Sequence, residues 1–372
     1  MTRIYLDYNA STPIDRKVLD EMMPYLTDKF GNPSSSHAFG VANRAAIEQA
    51  RERLALLIGC EASEIVFTSG ATESNNMVIK GIAKAAGKGK QFITSAIEHP
   101  AVLEPCRNLE RFRYNVTYLA VDRFGIVDPA ELEKAITADT VLVTIMHSNN
   151  EVGTIQNIAE LSRIAKSRNV LFHTDAAQSV GKVRVNVDEL GVDFLTIAGH
   201  KFYAPKGIGA LYIRNGRTLL PMMHGAGHEH GMRPGTENTA GIVGMGAAAM
   251  IAADMLDTEV PRQMKLGQRL FDGLKRAGLR VHLNGHAEKK LPNTWNISFE
   301  DFSAPEVMEA LAGVAVSPGA ACHGDSVTPS HVLAAMGIDM NLARGAIRFS
   351  LGRETTEAEI DAVVEMLKKV AR

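Results

Sequence analysis

Short apolar runs alternate with longer stretches of helical periodicity over the first two thirds of the chain. The runs predict strands at 64–68, 91–94, 116–119, 141–146, 170–174, 194–198 and 208–213, and the helical stretches between them lie at 72–86, 101–111 and 158–167. Alternation of strands and helices through short, glycine-containing links is typical of an α/β domain on a mainly parallel sheet. The pattern therefore predicts an α/β fold for this part of the chain.

The pattern changes after about residue 250. It predicts helices at 261–277, 305–311 and 356–370, and strands at 280–283, 294–299 and 345–351. Strands mixed with helices in no regular order indicate a smaller α+β domain. We expect the N-terminal segment, up to about residue 30, to pack on that domain. The predicted division gives residues 14–255 to the large domain, and residues 1–13 and 256–372 to the small one.

The composition supports two folded domains and excludes several classes of partner. The chain has 372 residues, 45% of them hydrophobic, and is longer than one core usually accommodates. Its 40 basic and 42 acidic residues give a net charge of −2, so we expect no nucleic-acid partner. The longest nearly apolar stretch, residues 239–253, is shorter than the roughly 20 residues of a membrane-spanning helix, so we expect no membrane partner.

The first residues of the sequence and the number of cysteines bear on the cellular compartment in which the protein is expected. The first residues reach Asp7 without a long apolar run, so no signal peptide is expected. Three cysteines are a small, odd number, which argues against a disulfide framework and for a reducing environment. We therefore expect a soluble cytoplasmic protein.

Three polar segments follow predicted strands, where ligands gather in open α/β sheets. Residues 69–75 form a small-residue turn before a helix, which can seat a phosphate on exposed N–H groups, although an ordinary strand–helix turn has the same pattern. Asp175 could pair with a ring nitrogen, or could simply cap a helix. Lys201 could form a Schiff base with an aldehyde, or could extend its amine to solvent at a strand end.

The three thiols lie in different settings. Cys322 stands beside His323 in a run of small residues that predicts a mobile loop, where a protonated imidazole would stabilise the thiolate. Cys60 follows a helix end and Cys106 lies in a helical pattern, so both are expected to be structural. Cys322 is thus the candidate for chemistry.

Arginine and histidine positions add further candidates. Arg348 lies in an alternating run and could bind a carboxylate, or could form a structural ion pair. His99 could stack on a flat cofactor ring, or could be a surface or capping residue. The three histidines within 223–230 lack the spacing of a metal site, so no metal is expected. Taken together, the candidates match the phosphate, pyridine nitrogen and aldehyde of pyridoxal 5'-phosphate (PLP).

Ten motifs spread over the whole chain carry a resemblance to a known family. They are, in chain order, YLDYNASTP at 5–13, GNPSS at 31–35, SGATESNN at 69–76, EH at 98–99, NNEVG at 149–153, HTDAAQ at 173–178, GHK at 199–201, RPGTEN at 233–238, GAAC at 319–322 and IRFSLGR at 347–353. With them the chain resembles a cysteine desulfurase of the class V aminotransferase family. The resemblance implies a fold-type I PLP-dependent transferase, with a large α/β domain on a mainly parallel seven-stranded sheet and a smaller α+β domain.

The resemblance also implies roles around the cofactor ring. Lys201 would hold PLP as a Schiff base, and Asp175 would pair with the pyridinium nitrogen. Gln178 would bond the ring hydroxyl, and His99 would stack on the ring. Lys201, His99 and Cys322 would be the catalytic residues.

For the phosphate, the resemblance implies contacts from two subunits. Ala71, Thr72 and His200 would hold the phosphate within one chain. Thr236 would reach the same phosphate from a partner subunit, which implies a homodimer with shared sites.

For the substrate, the resemblance implies desulfuration of L-cysteine to L-alanine. Arg348 and Asn150 would bind the substrate carboxylate, and Cys322 would receive the sulfur as a persulfide. A persulfide has to be passed on, so a sulfur-acceptor protein is expected, in iron–sulfur cluster assembly or another sulfur pathway.

Three departures from the family pattern leave the chalcogen open. Ala198 stands where the family usually has a serine, so one phosphate contact is missing. Pro318 replaces a serine and should stiffen the entrance of the cysteine loop. His323, with Asp325 two residues later, resembles selenocysteine lyases of the same family, as does Ala198. The alternatives are therefore a selenocysteine lyase acting on L-selenocysteine, a PLP aminotransferase and a non-catalytic sulfur-transfer scaffold.

Overall fold

The computed structural model of the protein describes residues 4–323 and 326–369. The strands, in chain order, are β1 Ile4–Tyr5, β2 Ile65–Thr68, β3 Gln91–Ser95, β4 Asn115–Leu119, β5 Thr140–Thr144, β6 Leu171–Asp175, β7 Phe194–Ala198, β8 Gly209–Ile213, β9 Val281–Asn284, β10 Thr294–Phe299, β11 Val314–Ala315, β12 Ser317–Pro318, β13 Ala320–His323, β14 Ser326–Pro329 and β15 Ala346–Ser350. The α-helices are α1 Arg16–Leu26, α2 Ala38–Ile58, α3 Ala71–Ala86, α4 Pro100–Arg111, α5 Pro129–Ala135, α6 Ile158–Ser167, α7 Val187–Leu190, α8 Thr239–Arg276, α9 Ala304–Ala310, α10 His331–Ala335, α11 Met340–Arg344 and α12 Glu357–Lys368. Short 3₁₀ helices lie at Ala62–Glu64, Gly199–Lys201 and Glu229–Gly231.

Seven strands form one sheet in the order β2-β8-β7-β6-β5-β3-β4. The strands β7, β6, β5, β3 and β4 run parallel, whereas β8 pairs antiparallel with both β2 and β7. β3 and β7 are buried along their whole length, as expected for strands with a helical layer on each side. The structure confirms the predicted α/β fold with a mainly parallel, seven-stranded sheet.

Helices cover both faces of the seven-stranded sheet. On one face, α3 and α4 contribute Ile82 and Val102 to a shared apolar core. On the other face, α2, α6 and the first half of α8 contribute Leu54, Leu161 and Met245. The apolar stripes of these helices lie on the sheet, and the sheet edge at the carboxyl ends of the strands is left for a site.

A second sheet contains the strands near the end of the chain. It is antiparallel, in the order β12-β15-β10-β9. Its core joins Trp295 and Phe349 from the strands with Leu270 of α8, Val307 of α9 and Ile360 of α12. This is the mixed α and β arrangement predicted for the last third of the chain.

The start of the chain divides between the two cores. β1 pairs with β11, and Leu6 is buried in the core of the four-stranded sheet. The next helix, α1, instead places Val18 and Met22 in the core of the seven-stranded sheet. The expectation that the segment up to about residue 30 packs on the small domain is therefore wrong for α1. The reason is that Gly244 of α8 leaves room for Met22, since a Cβ there would lie 2.5 Å from the Met22 sulfur.

One continuous helix, α8, covers the region where the sequence predicts a change of domain. The predicted helix at 261–277 is only the second half of α8, which begins at Thr239 and passes through Pro261. Pro261 is exposed, so the carbonyl that loses its helical partner can bond to water. The two halves of α8 lie in different cores, and the division after residue 255 stays a prediction.

The length of α8 also bears on the membrane question. Among the described residues, α8 is the one helix long and apolar enough to cross a membrane, and 61% of its apolar window is buried inside the protein. It is therefore a core helix. The alanines and glycines of its first half allow close packing against α1 and α2.

The segment that contains Cys322 has regular backbone structure. The sequence predicts a loop there, but the backbone forms a hairpin in which β13 and β14 pair from Ala320 with Pro329 to His323 with Ser326. Val327 and Thr328 are β-branched, which favours extended backbone in the second strand. Residues 324 and 325, and the side chain of Cys322, lie outside the described part of the chain.

Candidate active site

A cavity of about 630 Å³ lies at the carboxyl ends of β2, β6 and β7. Nine of the site residues predicted from the sequence line it: Ala71, Thr72, His99, Asn150, Asp175, Gln178, His200, Lys201 and Arg348. They converge because the parallel strands all end at one edge of the sheet. Arg348 reaches the same cavity from β15 of the smaller sheet.

Lys201 is the last residue of the 3₁₀ helix that follows β7. Its Nζ donates to the carbonyl oxygen of Asn9 at 2.7 Å and to that of Ala10 at 2.9 Å. Burial, followed by the positive charge of Arg348, lowers the pKa of Lys201 to about 8. Far more of this lysine is neutral near pH 7 than of a free lysine, and the neutral amine is the form that attacks an aldehyde.

Asp175 ends β6 and is fixed by two hydrogen bonds. Its Oδ2 accepts from Asn75 Nδ2 at 2.7 Å, and its Oδ1 accepts from the backbone N–H of Ala177 at 2.9 Å. Both Asp175 and Asn75 are buried. Asn75 lies in the small-residue turn predicted to seat a phosphate, where its sequence position predicts no role of its own, whereas its side chain orients the carboxylate.

The start of α3 presents backbone N–H groups to the cavity. Ala71 and Thr72 are the first residues of the helix, so their N–H groups have no acceptor within it. Gly70 caps the helix with φ at 152°, a conformation that glycine adopts readily. Gly209 of β8 lies against this turn, since a Cβ on Gly209 would come within 2.6 Å of the Gly70 Cα. The turn is therefore a fitting seat for an anion.

His200 and Lys206 line the same cavity as the start of α3. Burial, followed by the charge of Lys201, lowers the pKa of His200 to about 4, so its imidazole is neutral near pH 7. Its Nδ1 lies 3.4 Å from Ser11 Oγ. Lys206 was not predicted as a site residue. Its positive charge suits a phosphate, and the only sequence signal for it is its position shortly before β8.

Gln178 belongs to a polar network that is not evident from the sequence. Its Nε2 donates to the carbonyl oxygen of Asn9 at 3.0 Å, and its Oε1 accepts from Lys182 Nζ at 2.6 Å. Lys182 Nζ also donates to Asn9 Oδ1 at 2.9 Å. The Asn9 carbonyl oxygen can only accept, so it fixes the Gln178 amide with its nitrogen toward Asn9 and its oxygen toward Lys182.

His99 lies in the cavity lining at the N-terminus of α4. Its Nδ1 accepts from the backbone N–H of Ala101 at 3.1 Å, so a neutral ring carries its proton on Nε2. Burial lowers the pKa of His99. The adjacent Glu98 is buried, and burial raises its pKa to about 8 although Ser95 Oγ and the Met146 N–H donate to it. A neutral imidazole of this kind suits contact with a flat ring.

Arg348 has several partners in the cavity wall. Its Nη1 donates to the carbonyl oxygen of Asn150 at 3.0 Å, which explains why the two residues lie together. Its Nη2 donates to Asp7 Oδ1 at 2.8 Å and to Ser317 Oγ at 2.9 Å. Both readings of Arg348 from the sequence thus have support, because the guanidinium forms an ion pair and still lines the cavity.

Thr236 is the predicted cofactor residue that does not line the cavity of its own chain. It is exposed, in the segment between β8 and α8. That segment is anchored by Glu229, which forms a buried ion pair with Arg51 at 2.8 Å, and by Arg233, whose Nε donates to Glu73 at 3.1 Å. The contact of Thr236 with a partner subunit stays a prediction.

The surroundings of two of the three thiols, those of Cys60 and Cys106, disfavour the reactive thiolate. Burial raises the pKa of Cys60 to about 12 and that of Cys106 to about 12. Both agree with the structural role expected from the sequence. The side chain of Cys322 is not among the described ones, so its role stays a prediction. Within the described ranges, no group of three or more His, Cys, Asp or Glu side chains is placed to hold a metal ion.

The residues present fit PLP. The cavity combines a lysine whose amine is largely deprotonated above pH 8, a buried carboxylate held by Asn75, and free N–H groups at the start of α3. These match the aldehyde, the ring nitrogen and the phosphate of PLP in turn.

The sequence matches one protein family over nearly its whole length. The family described as "Aminotransferase class-V" matches residues 4–363. A protein of Dictyoglomus turgidum named "Cysteine desulfurase IscS" is 50% identical over 370 residues, which cover 99% of this chain and 94% of that protein.

Solved structures agree with the sequence comparison. A "NifS-like protein" is 40% identical, covers 100% of this chain and 99% of its own, and superposes with a TM-score of 0.94. A structure described as "SspA in complex with cysteine" is also 40% identical, covers 94% of this chain and 99% of its own, and has a TM-score of 0.83.

Proposed function

The chain belongs to the class-V aminotransferase family, and we propose that it acts as a cysteine desulfurase, which converts L-cysteine to L-alanine and leaves the sulfur on Cys322. The observation that carries the proposal is one cavity in which Lys201, Asp175 and Arg348 converge. A PLP aminotransferase would use the same three groups. The full-length similarity to proteins named as cysteine desulfurases favours desulfuration.

Members of this family depend on PLP. In this chain Lys201 would hold the aldehyde, Asp175 the ring nitrogen and Gln178 the ring hydroxyl, with His99 against the ring. Ala71, Thr72 and His200 would hold the phosphate. When bound, PLP withdraws electrons from the substrate Cα, which makes the Cα proton acidic.

Arg348 and Lys201 would act on different groups of the substrate, its carboxylate and its Cα proton. The Arg348 guanidinium, with Asn150 beside it, would bind the carboxylate and so orient the Cα–H bond. Lys201 Nζ, with its pKa lowered to about 8, would take the Cα proton as a neutral amine and return a proton later. The carbonyl oxygens of Asn9 and Ala10 mark one position that Nζ can occupy in the meantime.

Cys322 would take the sulfur as a nucleophile. Its thiolate forms a bond to the substrate sulfur while the substrate Cβ–S bond breaks. The electron pair of the broken bond stays with the carbon skeleton, which takes up a proton and leaves as alanine. The enzyme keeps a persulfide, which a sulfur-acceptor protein would then receive.

Ala198 favours one second candidate function, selenocysteine lyase. It lines the cavity at the position where the family usually has a serine. A selenol ionises at lower pH than a thiol, so its cleavage needs less help from an attacking thiolate. Comparing kcat/KM on L-cysteine and L-selenocysteine separates the two functions, and a strong preference for selenocysteine would select the lyase.

The decisive experiment measures alanine and sulfide from L-cysteine with a thiol reductant present. Cys322→Ala is expected to lose about a hundredfold or more in rate. Cys106→Ala is the matched control, because that thiol is buried in a core and should leave the rate near that of the wild type. Full activity of Cys322→Ala would exclude the persulfide step, and transfer of the amino group to a keto acid would indicate an aminotransferase.

The proposed function includes an oligomeric state and a cellular compartment. The enzyme would be a cytoplasmic homodimer in which Thr236 of each chain completes the phosphate site of the other. Thr236→Ala should then weaken PLP binding although Thr236 does not line the cavity of its own chain. Unchanged PLP affinity, or a monomer in sedimentation, would contradict this arrangement.

A further inference from the structure

Three side chains form a closed triangle of hydrogen bonds at the wall of the cavity. Arg348 Nη2 donates to Asp7 Oδ1 at 2.8 Å and to Ser317 Oγ at 2.9 Å. Ser317 Oγ donates in turn to Asp7 Oδ1 at 2.8 Å. Arg348 and Asp7 are largely buried, with side-chain exposures of 10% and 18%.

The backbone places this triangle at the start of the segment that contains Cys322. Ser317 and Arg348 are direct partners in the antiparallel pair β12–β15. Gly319 then donates its N–H to the carbonyl oxygen of Ala346 at 2.8 Å, and β13 with Cys322 follows. A change at Ser317 therefore acts on the anchor of the strand that contains the thiol.

A bidentate carboxylate needs Nη2 of Arg348. A guanidinium offers a carboxylate two forks, Nη1 with Nη2 or Nε with Nη2, and both include Nη2. Nη2 has two N–H groups, and Asp7 and Ser317 already accept from it. Nε is buried and has no acceptor among the described residues, so a carboxylate in the cavity cannot reach it. The fork that a carboxylate can reach is therefore that of Nη1 and Nη2. A carboxylate that binds there has to displace one of the two acceptors.

The hydroxyl of Ser317 is the acceptor that gives way. Hydrogen bonds between two charged groups are roughly twice as strong as those with a neutral partner, so Asp7 keeps its bond to Nη2. Ser317 loses only a neutral acceptor contact and can still donate to Asp7.

We propose that Ser317 is a positioning residue through which binding of the substrate carboxylate at Arg348 weakens the β12 anchor of the Cys322 segment. The inference rests on the proposed function, in which Arg348 binds the carboxylate and Cys322 accepts sulfur. When a carboxylate occupies the clamp, Ser317 keeps one of its two side-chain contacts, so the strand that contains the thiol is held less firmly than in the empty site.

The first test compares two amines that carry no sulfur, L-alanine and ethylamine, on the PLP-loaded enzyme; they differ only in the carboxylate. In Ser317→Ala the ratio of Kd for L-alanine to Kd for ethylamine should fall by about two- to tenfold, the equivalent of one hydrogen bond of about 0.5–1.5 kcal/mol. Ser317→Thr keeps a hydroxyl and should keep the wild-type ratio. An unchanged or higher ratio in Ser317→Ala would overturn the proposal.

The second test needs no variant and follows hydrogen exchange of the Gly319 amide in the wild type. L-alanine should accelerate this exchange and ethylamine should not, because only the carboxylate displaces Ser317. Equal exchange with both ligands would contradict the coupling. Failure of the proposed function would be a distinguishable result. It would appear as no formation of alanine from L-cysteine by the wild type, and both binding tests could still be carried out.

Discussion

Asn75 donates from Nδ2 to Asp175 Oδ2 at 2.7 Å, and the bond joins α3 to the end of β6. The two residues are 100 positions apart, and both are buried. The bond holds the carboxylate in one orientation beside the cavity, with its second oxygen fixed by the backbone of Ala177. A ring nitrogen that meets Asp175 therefore meets an acceptor that is already positioned.

Removing the Asn75 amide should weaken PLP binding. Asn75→Leu keeps the size of the side chain but leaves a buried carboxylate without a charge-assisted bond worth about 1.5–3 kcal/mol. We expect a Kd for PLP roughly 10- to 100-fold higher, measured by absorbance titration of the apoprotein. Asn76→Leu is the control, since that neighbouring side chain is only half-buried and bonds Thr72 of its own helix. Equal effects of the two substitutions would refute a specific role for Asn75.

The pH dependence of PLP reconstitution should report the lowered pKa of Lys201. Burial and Arg348 lower this pKa to about 8 from the ordinary 10.5, so the reactive neutral amine increases up to about pH 8 and not up to 10.5. The rate at which the apoprotein binds PLP covalently should rise with pH and level off above about pH 8. Lys201→Ala should form no covalent adduct. A rate that keeps rising to pH 10 would show that the amine is not perturbed.

Alkylation of the native protein should spare two of its three thiols. Burial raises the pKa values of Cys60 and Cys106 to about 12, so neither forms appreciable thiolate at pH 7.5. Brief treatment with iodoacetamide followed by peptide mass spectrometry should find both unmodified, and should find all three labelled after unfolding in urea. Fast labelling of Cys106 in the folded protein would mean that its helix opens.

The sequence pattern predicted the large sheet because each of its strands has a local signal. β7, for example, is a run of five buried residues shortly after the helix-ending Gly191, and its bounds at Phe194–Ala198 match the prediction. The junction near residue 255 was harder, because Pro261 is a local signal for a helix end. Tertiary packing overrides it, since α8 buries its two halves in two cores.

The candidate site was partly predictable for a similar reason. Lys201 and Asp175 follow strands, and that position is visible in the sequence. The bonds of Lys182 to Asn9 and of Ser317 to Arg348 join residues 173 and 31 positions apart, so no local pattern gives these contacts away. Their roles depend on which groups the fold brings within hydrogen-bond distance.

The ion pair between Arg51 and Glu229 should contribute strongly to stability. Both side chains are 4% exposed, and Glu229 also accepts from the backbone N–H of Phe67. Arg51→Met leaves the Glu229 carboxylate buried without its partner, which should cost about 3–5 kcal/mol in the free energy of unfolding. Arg53→Met, in an exposed pair with Glu21, should cost about 1 kcal/mol or less. Urea denaturation measures both, and similar losses would contradict the assigned difference.

A methyl group on Gly209 should damage both the fold and the phosphate turn. The added Cβ would lie 2.6 Å from the Gly70 Cα and 2.7 Å from the Ile197 carbonyl oxygen, so backbone has to move. We expect Gly209→Ala to lose about 1–3 kcal/mol in stability, as overpacked sites do, and to bind PLP more weakly because Gly70 precedes Ala71 and Thr72.

The control for Gly209→Ala is Gly227→Ala, because an added Cβ at Gly227 would meet nothing within 4 Å. That variant should keep wild-type stability and wild-type PLP affinity. Thermal unfolding with and without PLP distinguishes the two effects, since a weaker phosphate seat reduces the shift in Tm that PLP produces. If Gly209→Ala lost stability but kept the full PLP-induced shift, its close approach to Gly70 would matter for folding alone and not for the phosphate turn.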